Sequence, residues 1–291
     1  MFEGVYPAII TPFSQTPDRA LDLEGLRSNI AYLIGEGVHG IVPCGSTGES
    51  ATLTFEEHEQ VIGVAVEAAD GKIPVLAGTG SNNTAEAIRF TKAARDLGAD
   101  GALVISPYYN KPNRSGLVKH FTALADLDIP IVLYNVPGRT GQNLQPDLVV
   151  ELADHPNIVG VKEASGDLEQ VSMIIEGTQD KDFVVLSGDD ALTLPILALG
   201  GAGVISVAAD LMPAQMVAMY EAVRRGDLAE ARRIHYELSP LFRAMFIDTN
   251  PIPVKTAVGL RGMAAGPVRL PLDDLDAGKT EALKEVLRLY D

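Results

Sequence analysis

The chain has 291 residues, 46% of them hydrophobic and 21% charged, with 28 glycines and 18 prolines. That is enough apolar material for a large core, and it excludes intrinsic disorder and a collagen-like repeat. Lys and Arg number 23 against 39 Asp and Glu, a net charge of −16, which argues against non-specific binding to nucleic acid or an anionic membrane and leaves room only for a local basic pocket for a small anion.

A single cysteine, Cys44, leaves no internal disulfide to form. The opening residues lack the pattern of a signal peptide, and no apolar run approaches the roughly 20 residues of a membrane span. The expectation is a soluble, cytoplasmic protein.

In chain order, short β-branched runs bounded by Gly or Pro alternate with longer amphipathic stretches. The first strand falls at residues 5–10, followed by a helix at 23–35 and a second strand at 40–44. A helix at 55–69 follows, with Thr54 as its cap and Glu56 and Glu57 in its first turn. Next come a strand at 74–77, a helix at 85–97 with Thr84 as cap and Glu86 in the first turn, and strands at 102–106, 131–134 and 159–162. A helix at 168–176 and strands at 184–187 and 204–207 complete the series. The runs are apolar throughout instead of alternating, as in parallel strands covered on both faces. Eight such units point to an α/β fold, a (β/α)₈ TIM barrel, over residues 1–226; a doubly wound sheet is the alternative, but it would call for a nucleotide fingerprint. The helix at 213–226 would close the barrel. Residues 227–291 read as a C-terminal helical segment: 228–246, a turn at 250–253, a short helix to 260, and an acidic-capped helix at 273–290.

In such a barrel the chemistry lies where strands end. The second run is followed by Gly45-Ser46-Thr47-Gly48-Glu49, the fourth by Tyr108-Tyr109-Asn110, and the fifth by Tyr134-Asn135 and Gly138-Arg139-Thr140. The sixth ends on Lys162-Glu163 and the seventh on Gly188-Asp189-Asp190. Lys162 is the most informative, because an unpaired ammonium in a strand buried on both faces is costly. One reading pairs it with a carboxylate such as Glu163 or lets it snorkel out. The other makes it an amine of lowered pKa that attacks a carbonyl to form a Schiff base, an electron sink that permits carbon–carbon chemistry.

The Gly45 to Gly48 loop offers backbone N–H groups and two hydroxyls to a carboxylate; the alternative is an ordinary Gly-rich turn. Tyr134 and Tyr109 with Thr47 are candidates for a proton relay, or else core-edge phenols. Arg139 is suited to clamp a substrate carboxylate, or to a surface ion pair. No Walker-type or dinucleotide-type loop is present, so no cofactor is indicated. His39, His58, His120, His155 and His235 fall in no ligand spacing, which argues against a metal site. Cys44 reads as a small apolar core residue.

Taken together, several motifs in order resemble those of the dihydrodipicolinate synthases (4-hydroxy-tetrahydrodipicolinate synthases) of the N-acetylneuraminate lyase superfamily of class I pyruvate aldolases. They are Gly45-Ser46-Thr47-Gly48-Glu49-Ser50, Ser106-Pro107-Tyr108-Tyr109-Asn110, Tyr134-Asn135-Val136-Pro137-Gly138-Arg139-Thr140-Gly141, Val161-Lys162-Glu163-Ala164, Ser187-Gly188-Asp189-Asp190 and Asn250-Pro251-Ile252-Pro253-Val254-Lys255. The resemblance spans nearly the whole chain.

It implies condensation of pyruvate with L-aspartate 4-semialdehyde on the route to diaminopimelate and lysine. Lys162 would form the imine, and Tyr134, Thr47 and Tyr109 would be the relay, with Tyr109 reaching across a subunit interface of a dimer of dimers. Ser46 and Thr47 would hold the pyruvate carboxylate and Arg139 that of the semialdehyde, while the backbone at Gly188 and Ile205 would line the imine. Ser46 stands where many members have threonine. Ser50, His58, Asn82, Glu86 and Tyr108 match a lysine-effector site, but Phe55 stands where inhibited bacterial members often have a polar or basic residue. The competing readings are a 2-keto-3-deoxy sugar acid aldolase or N-acetylneuraminate lyase, against which Arg139 argues, and a non-catalytic keto-acid-binding barrel.

Overall fold

The apolar runs become the staves of one closed parallel sheet in the computed structural model, which describes residues 2–291. Seven are regular strands: β1 Gly4–Pro7, β2 Leu76–Gly78, β3 Gly101–Ile105, β4 Ile131–Asn135, β5 Ile158–Glu163, β6 Val184–Ser187 and β7 Gly203–Ser206, ordered β1-β7-β6-β5-β4-β3-β2. The run at 40–44, expected as a full strand, is an eighth stave of single bridges. Val42 pairs with Ala8 and Ile41 with Val75, both parallel. Bonds from Val42 N to Pro7 O (2.9 Å) and from Leu76 N to Ile41 O (3.0 Å) close the ring between β1 and β2. Its ladder stops because Pro43 has no N–H to donate and Cys44 turns to φ 56°. The fold is therefore the (β/α)₈ barrel, not the open sheet.

Each stave contributes to one interior cluster, among them Tyr6, Val42, Leu76, Leu103, Val132, Leu186 and Ile205. This is the packed centre of a small barrel, with no pore through it. The outer layer comprises α1 Leu23–Gly35, α2 Phe55–Ala69, α3 Thr84–Asp96, α4 Arg114–Ala125, α5 Pro137–Thr140, α6 Pro146–Leu152, α7 Leu168–Gly177, α8 Thr193–Ala198 and α9 Pro213–Arg224. Thr54 caps α2 in a reciprocal box with Glu57, whereas α3 is capped by Asn83 and not by Thr84. Both residue types accept from the first-turn N–H groups, so composition left the choice to the backbone.

Three helices follow: α10 Leu228–Ala244, α11 Ile252–Leu260 and α12 Ala277–Leu287. α12 begins after Asp276, which caps it, later than the expected start at residue 273. These helices lie on the barrel. Leu238, Val254 and Leu283 share a single apolar cluster with Val5 of β1, Val204 of β7 and Met216 of α9. Among the described residues no helix is long and apolar enough to cross a membrane.

Candidate active site

The strand ends converge on a cavity of about 150 Å³, lined by Ser46, Thr47, Tyr134, Arg139, Lys162 and Gly188 among others. Its geometry starts from an irregularity in the sheet. β4 and β5 begin in register at Ile131 and Ile158, then shift by one residue so that Val132 faces Gly160. That extra residue brings Tyr134 level with Lys162 and Asn135 level with Glu163. A bulge here re-aims a side chain, as bulges commonly do beside functional sites.

Lys162 is 6% exposed, and its Nζ lies 4.3 Å from the centre of the Tyr134 ring. Among the described residues no carboxylate forms an ion pair with it. Glu163 turns away, accepting from Asn135 Nδ2 (3.0 Å), Gln170 Nε2 (2.9 Å) and Ser165 N (2.7 Å). Burial pushes the Lys162 amine down to about 7, with the Arg139 charge adding to the shift and the Asp190 carboxylate opposing it. Asp190 is itself held by Ser206 Oγ (2.5 Å), Val207 N (3.0 Å) and Ala208 N (2.8 Å). Gly188 allows this packing, because a Cβ there would stand 3.0 Å from Lys162 Cε and 2.7 Å from Ala164 Cβ.

The Gly45 to Gly48 loop is bracketed by two residues of left-handed backbone, Cys44 at φ 56° and Glu49 at φ 54°. Gly78 lets the neighbouring stave approach it, since a Cβ there would lie 2.2 Å from Cys44 O. Thr11 Oγ1 pins the loop by donating to Gly48 O (2.6 Å). The two loop hydroxyls differ in partner. The Tyr134 phenol is raised by burial and drawn back by the Arg139 charge and a hydrogen bond with Ser46. Thr47 Oγ1 instead accepts from Asn250 Nδ2 (3.0 Å). Ser46, Thr47 and Tyr134 line the same cavity, and Asn250 is what holds the Thr47 hydroxyl. Arg139, exposed on α5, donates through Nη2 to Asn250 O (2.9 Å) and makes no ion pair among the described residues.

Two expected residues lie elsewhere. Ile205 is 1% exposed in the barrel interior and does not line the cavity. Tyr109 is 88% exposed at φ 72° and lines neither this cavity nor its neighbour. An exposed aromatic in left-handed backbone is an uncommon and strained arrangement.

A larger, open cavity of about 540 Å³ adjoins the first and shares Ser46, Tyr134, Arg139 and Asn250 with it. Of the residues matched to an effector site, Ser50, His58, Glu86 and Tyr108 line it. Asn82 does not, but its Nδ2 donates to Tyr108 O (3.1 Å). Phe55 lines the same cavity beneath the Arg89 guanidinium, 4.2 Å away, and the His58 ring stacks on Phe90 at 4.0 Å. Burial pushes His58 down to about 4, against a backbone hydrogen bond with Gly78 that raises it.

Sequence reasoning gave no role to Asp190, Asn135 or Asn250. Asp190 carried a usable signal, a charge just past an apolar run. Asn250 stood in a quoted family motif, but nothing local tied it to its partner Thr47, 203 residues away.

The family model described as "Dihydrodipicolinate synthetase family" matches residues 1–289. The chain belongs to this family. A 4-hydroxy-tetrahydrodipicolinate synthase of Methanoculleus marisnigri is 76% identical over 287 residues, covering 99% of each chain. A solved structure of DHDPS from Cyanidioschyzon merolae with lysine bound superposes with a TM-score of 0.96 at 45% identity, covering 99% of this chain and 98% of that one. The chloride-inhibited dihydrodipicolinate synthase of Acinetobacter baumannii, complexed with pyruvate, gives a TM-score of 0.96 at 40% identity and covers 99% of both chains. Five of the six motifs contribute residues to the lining of the cavity around Lys162, the end of the barrel where this fold builds its sites; the one at 106–110 does not.

Proposed function

We propose that this chain is a 4-hydroxy-tetrahydrodipicolinate synthase, a Schiff-base-forming lyase that condenses pyruvate with L-aspartate 4-semialdehyde. The observation that carries the reading is Lys162: a buried amine near pKa 7, unpaired, against Tyr134 in a cavity sized for a small keto acid. A substantial fraction of that amine is neutral at pH 7 and can attack the pyruvate carbonyl carbon. The carbinolamine loses water to give a protonated imine. Loss of a methyl proton then forms an enamine, whose carbon adds to the semialdehyde carbonyl. Each step needs a proton moved beside Lys162, and we assign that work to the Tyr134 phenol with the Ser46 hydroxyl, which line the same cavity.

In this reading the Thr47 hydroxyl and the loop N–H groups hold the pyruvate carboxylate, Arg139 holds that of the semialdehyde, and Gly188 lines the imine. Tyr109 acts from a second copy of the chain, which makes a dimer the smallest complete unit and a dimer of dimers the assembly. The protein would work in the cytoplasm, on the path to diaminopimelate and lysine. The lysine-bound relative supports lysine as an effector in the larger cavity, at Ser50, His58, Glu86 and Tyr108 with Asn82 behind them. Sugar-acid cleavage is not favoured, because Arg139 places a guanidinium where a polyol chain needs hydroxyl partners.

The test is a coupled assay with pyruvate, aspartate semialdehyde and a dihydrodipicolinate reductase, with free lysine as titrant. Turnover that needs both substrates is the expected result. Absence of turnover together with absence of a borohydride-trapped pyruvate adduct on Lys162 would refute it; no loss of rate at millimolar lysine would remove the effector.

A further inference from the structure

We propose that the stretch from Asn250 to Lys255, outside the barrel's strands and loops, fixes the position of the carboxylate-binding loop, with Asn250 and Lys255 as positioning residues for substrate capture. This rests on the reading of Lys162 and the Gly45 to Gly48 loop given above.

The C-terminal half of that loop is held at two points from this stretch, at Thr47 and at Glu49 just beyond Gly48. Asn250 Nδ2 donates to Thr47 Oγ1 at 3.0 Å. Lys255 Nζ meets Glu49 Oε1 at 2.6 Å, and the other carboxylate oxygen accepts from Arg269 N at 2.9 Å. Asn250 also accepts Arg139 Nη2 on its backbone oxygen at 2.9 Å. One short stretch therefore sets the spacing between the loop and the guanidinium. The stretch is itself rigid: Ile252, Val254 and Ala257 of α11 are buried in the cluster that includes Val204 of β7.

Stability alone does not account for the Glu49–Lys255 pair. Its side chains are 0% and 1% exposed, and a buried ion pair is often replaced by uncharged side chains without loss of stability. What an uncharged pair lacks is direction. Glu49 ends the loop in left-handed backbone at φ 54°, and fixing its two oxygens fixes how the preceding N–H groups point.

The experiment uses the full chain carrying Glu49→Gln with Lys255→Met, and separately Asn250→Ala. Borohydride trapping at Lys162 is measured against pyruvate concentration, alongside steady-state kinetics. Both variants are expected to melt cooperatively, with the pyruvate concentration for half-trapping and KM raised about tenfold and kcat changed less than about threefold. Folded variants with unchanged half-trapping, or with kcat reduced and half-trapping unmoved, would overturn the proposal. If the charge-free pair does not fold, Asn250→Ala decides, since it removes one amide and no charge. Wild-type protein that traps no pyruvate at any concentration would overturn the reading of Lys162 itself, a different result from normal trapping in the wild type with no shift in the variants.

Discussion

Among the described residues two lysines are buried, and each lies against an aromatic ring. Lys162 Nζ is 4.3 Å from the Tyr134 ring centre and Lys255 Nζ is 3.9 Å from that of Phe13. Burial lowers both, Lys162 to about 7 and Lys255 to about 8. They differ in company. Lys255 is hydrogen-bonded to Glu49 and sits beside Arg269, which is clamped in turn by both oxygens of Glu57 at 2.7 Å. Lys162 has only the more distant pull of Asp190 and an open cavity in front of it. A buried cation with a carboxylate on its nitrogen is a fastener. A buried cation with space where the carboxylate would be is suited to act as a nucleophile, because its neutral form is accessible.

The largest effect that could break this contrast is at Lys162 itself. Lys162→Ala should lose activity by about 10⁴-fold or more and trap no pyruvate, while the far-ultraviolet spectrum stays that of a folded barrel. Comparable activity in that variant would leave the contrast without content.

A smaller effect sharpens the division of labour around Lys162. Ser46→Ala should lower kcat by about 10- to 100-fold, because Tyr134 loses its hydroxyl partner. Thr47→Val should act mainly on the pyruvate KM, because that hydroxyl is held by Asn250 and faces the loop. Steady-state kinetics on the pair checks this; the reverse pattern would return the relay to Thr47.

The smallest effect is on stability. An exposed lysine titrates near about 10.4, so between pH 7 and that value the unfolded chain binds more protons at residue 162 than the folded one, and stability rises with pH across the window. Lys162→Met removes the cost of burying the ammonium. The variant should melt above the wild type at pH 7 by an amount that shrinks as pH approaches 10, and thermal melts across that range measure it. A gap independent of pH would mean that the folded amine is not held low.

Much of this was legible in the residues, and the exceptions share a cause. Apolar runs ended by Gly and Pro locate all eight staves, but the run at 40–44, a full strand by its pattern, forms only single bridges because Pro43 removes a ladder donor. Thr84 and Asp273 were plausible caps, yet Asn83 and Asp276 do the capping, because residues a few positions apart compete for the same N–H groups. Lys162, Tyr134 and Arg139 stood out as polar residues past apolar runs. Which of the adjacent loop hydroxyls, Ser46 or Thr47, serves Tyr134 is not legible, because the two are equivalent in sequence and distinguished only by where the loop points.

The sequence alone determined the alternation of strands and helices, the net negative charge, and the motifs that mark the family. These are local properties, set by side-chain period and by which groups each residue carries. The tertiary structure decided what depends on distance through space. It shifted β5 by one residue to level Lys162 with Tyr134, brought Asn250 onto Thr47, and joined Lys255 to Glu49 across 206 positions of chain. No local pattern encodes such pairs, because the partners become neighbours only when the barrel closes and the C-terminal helices pack upon it.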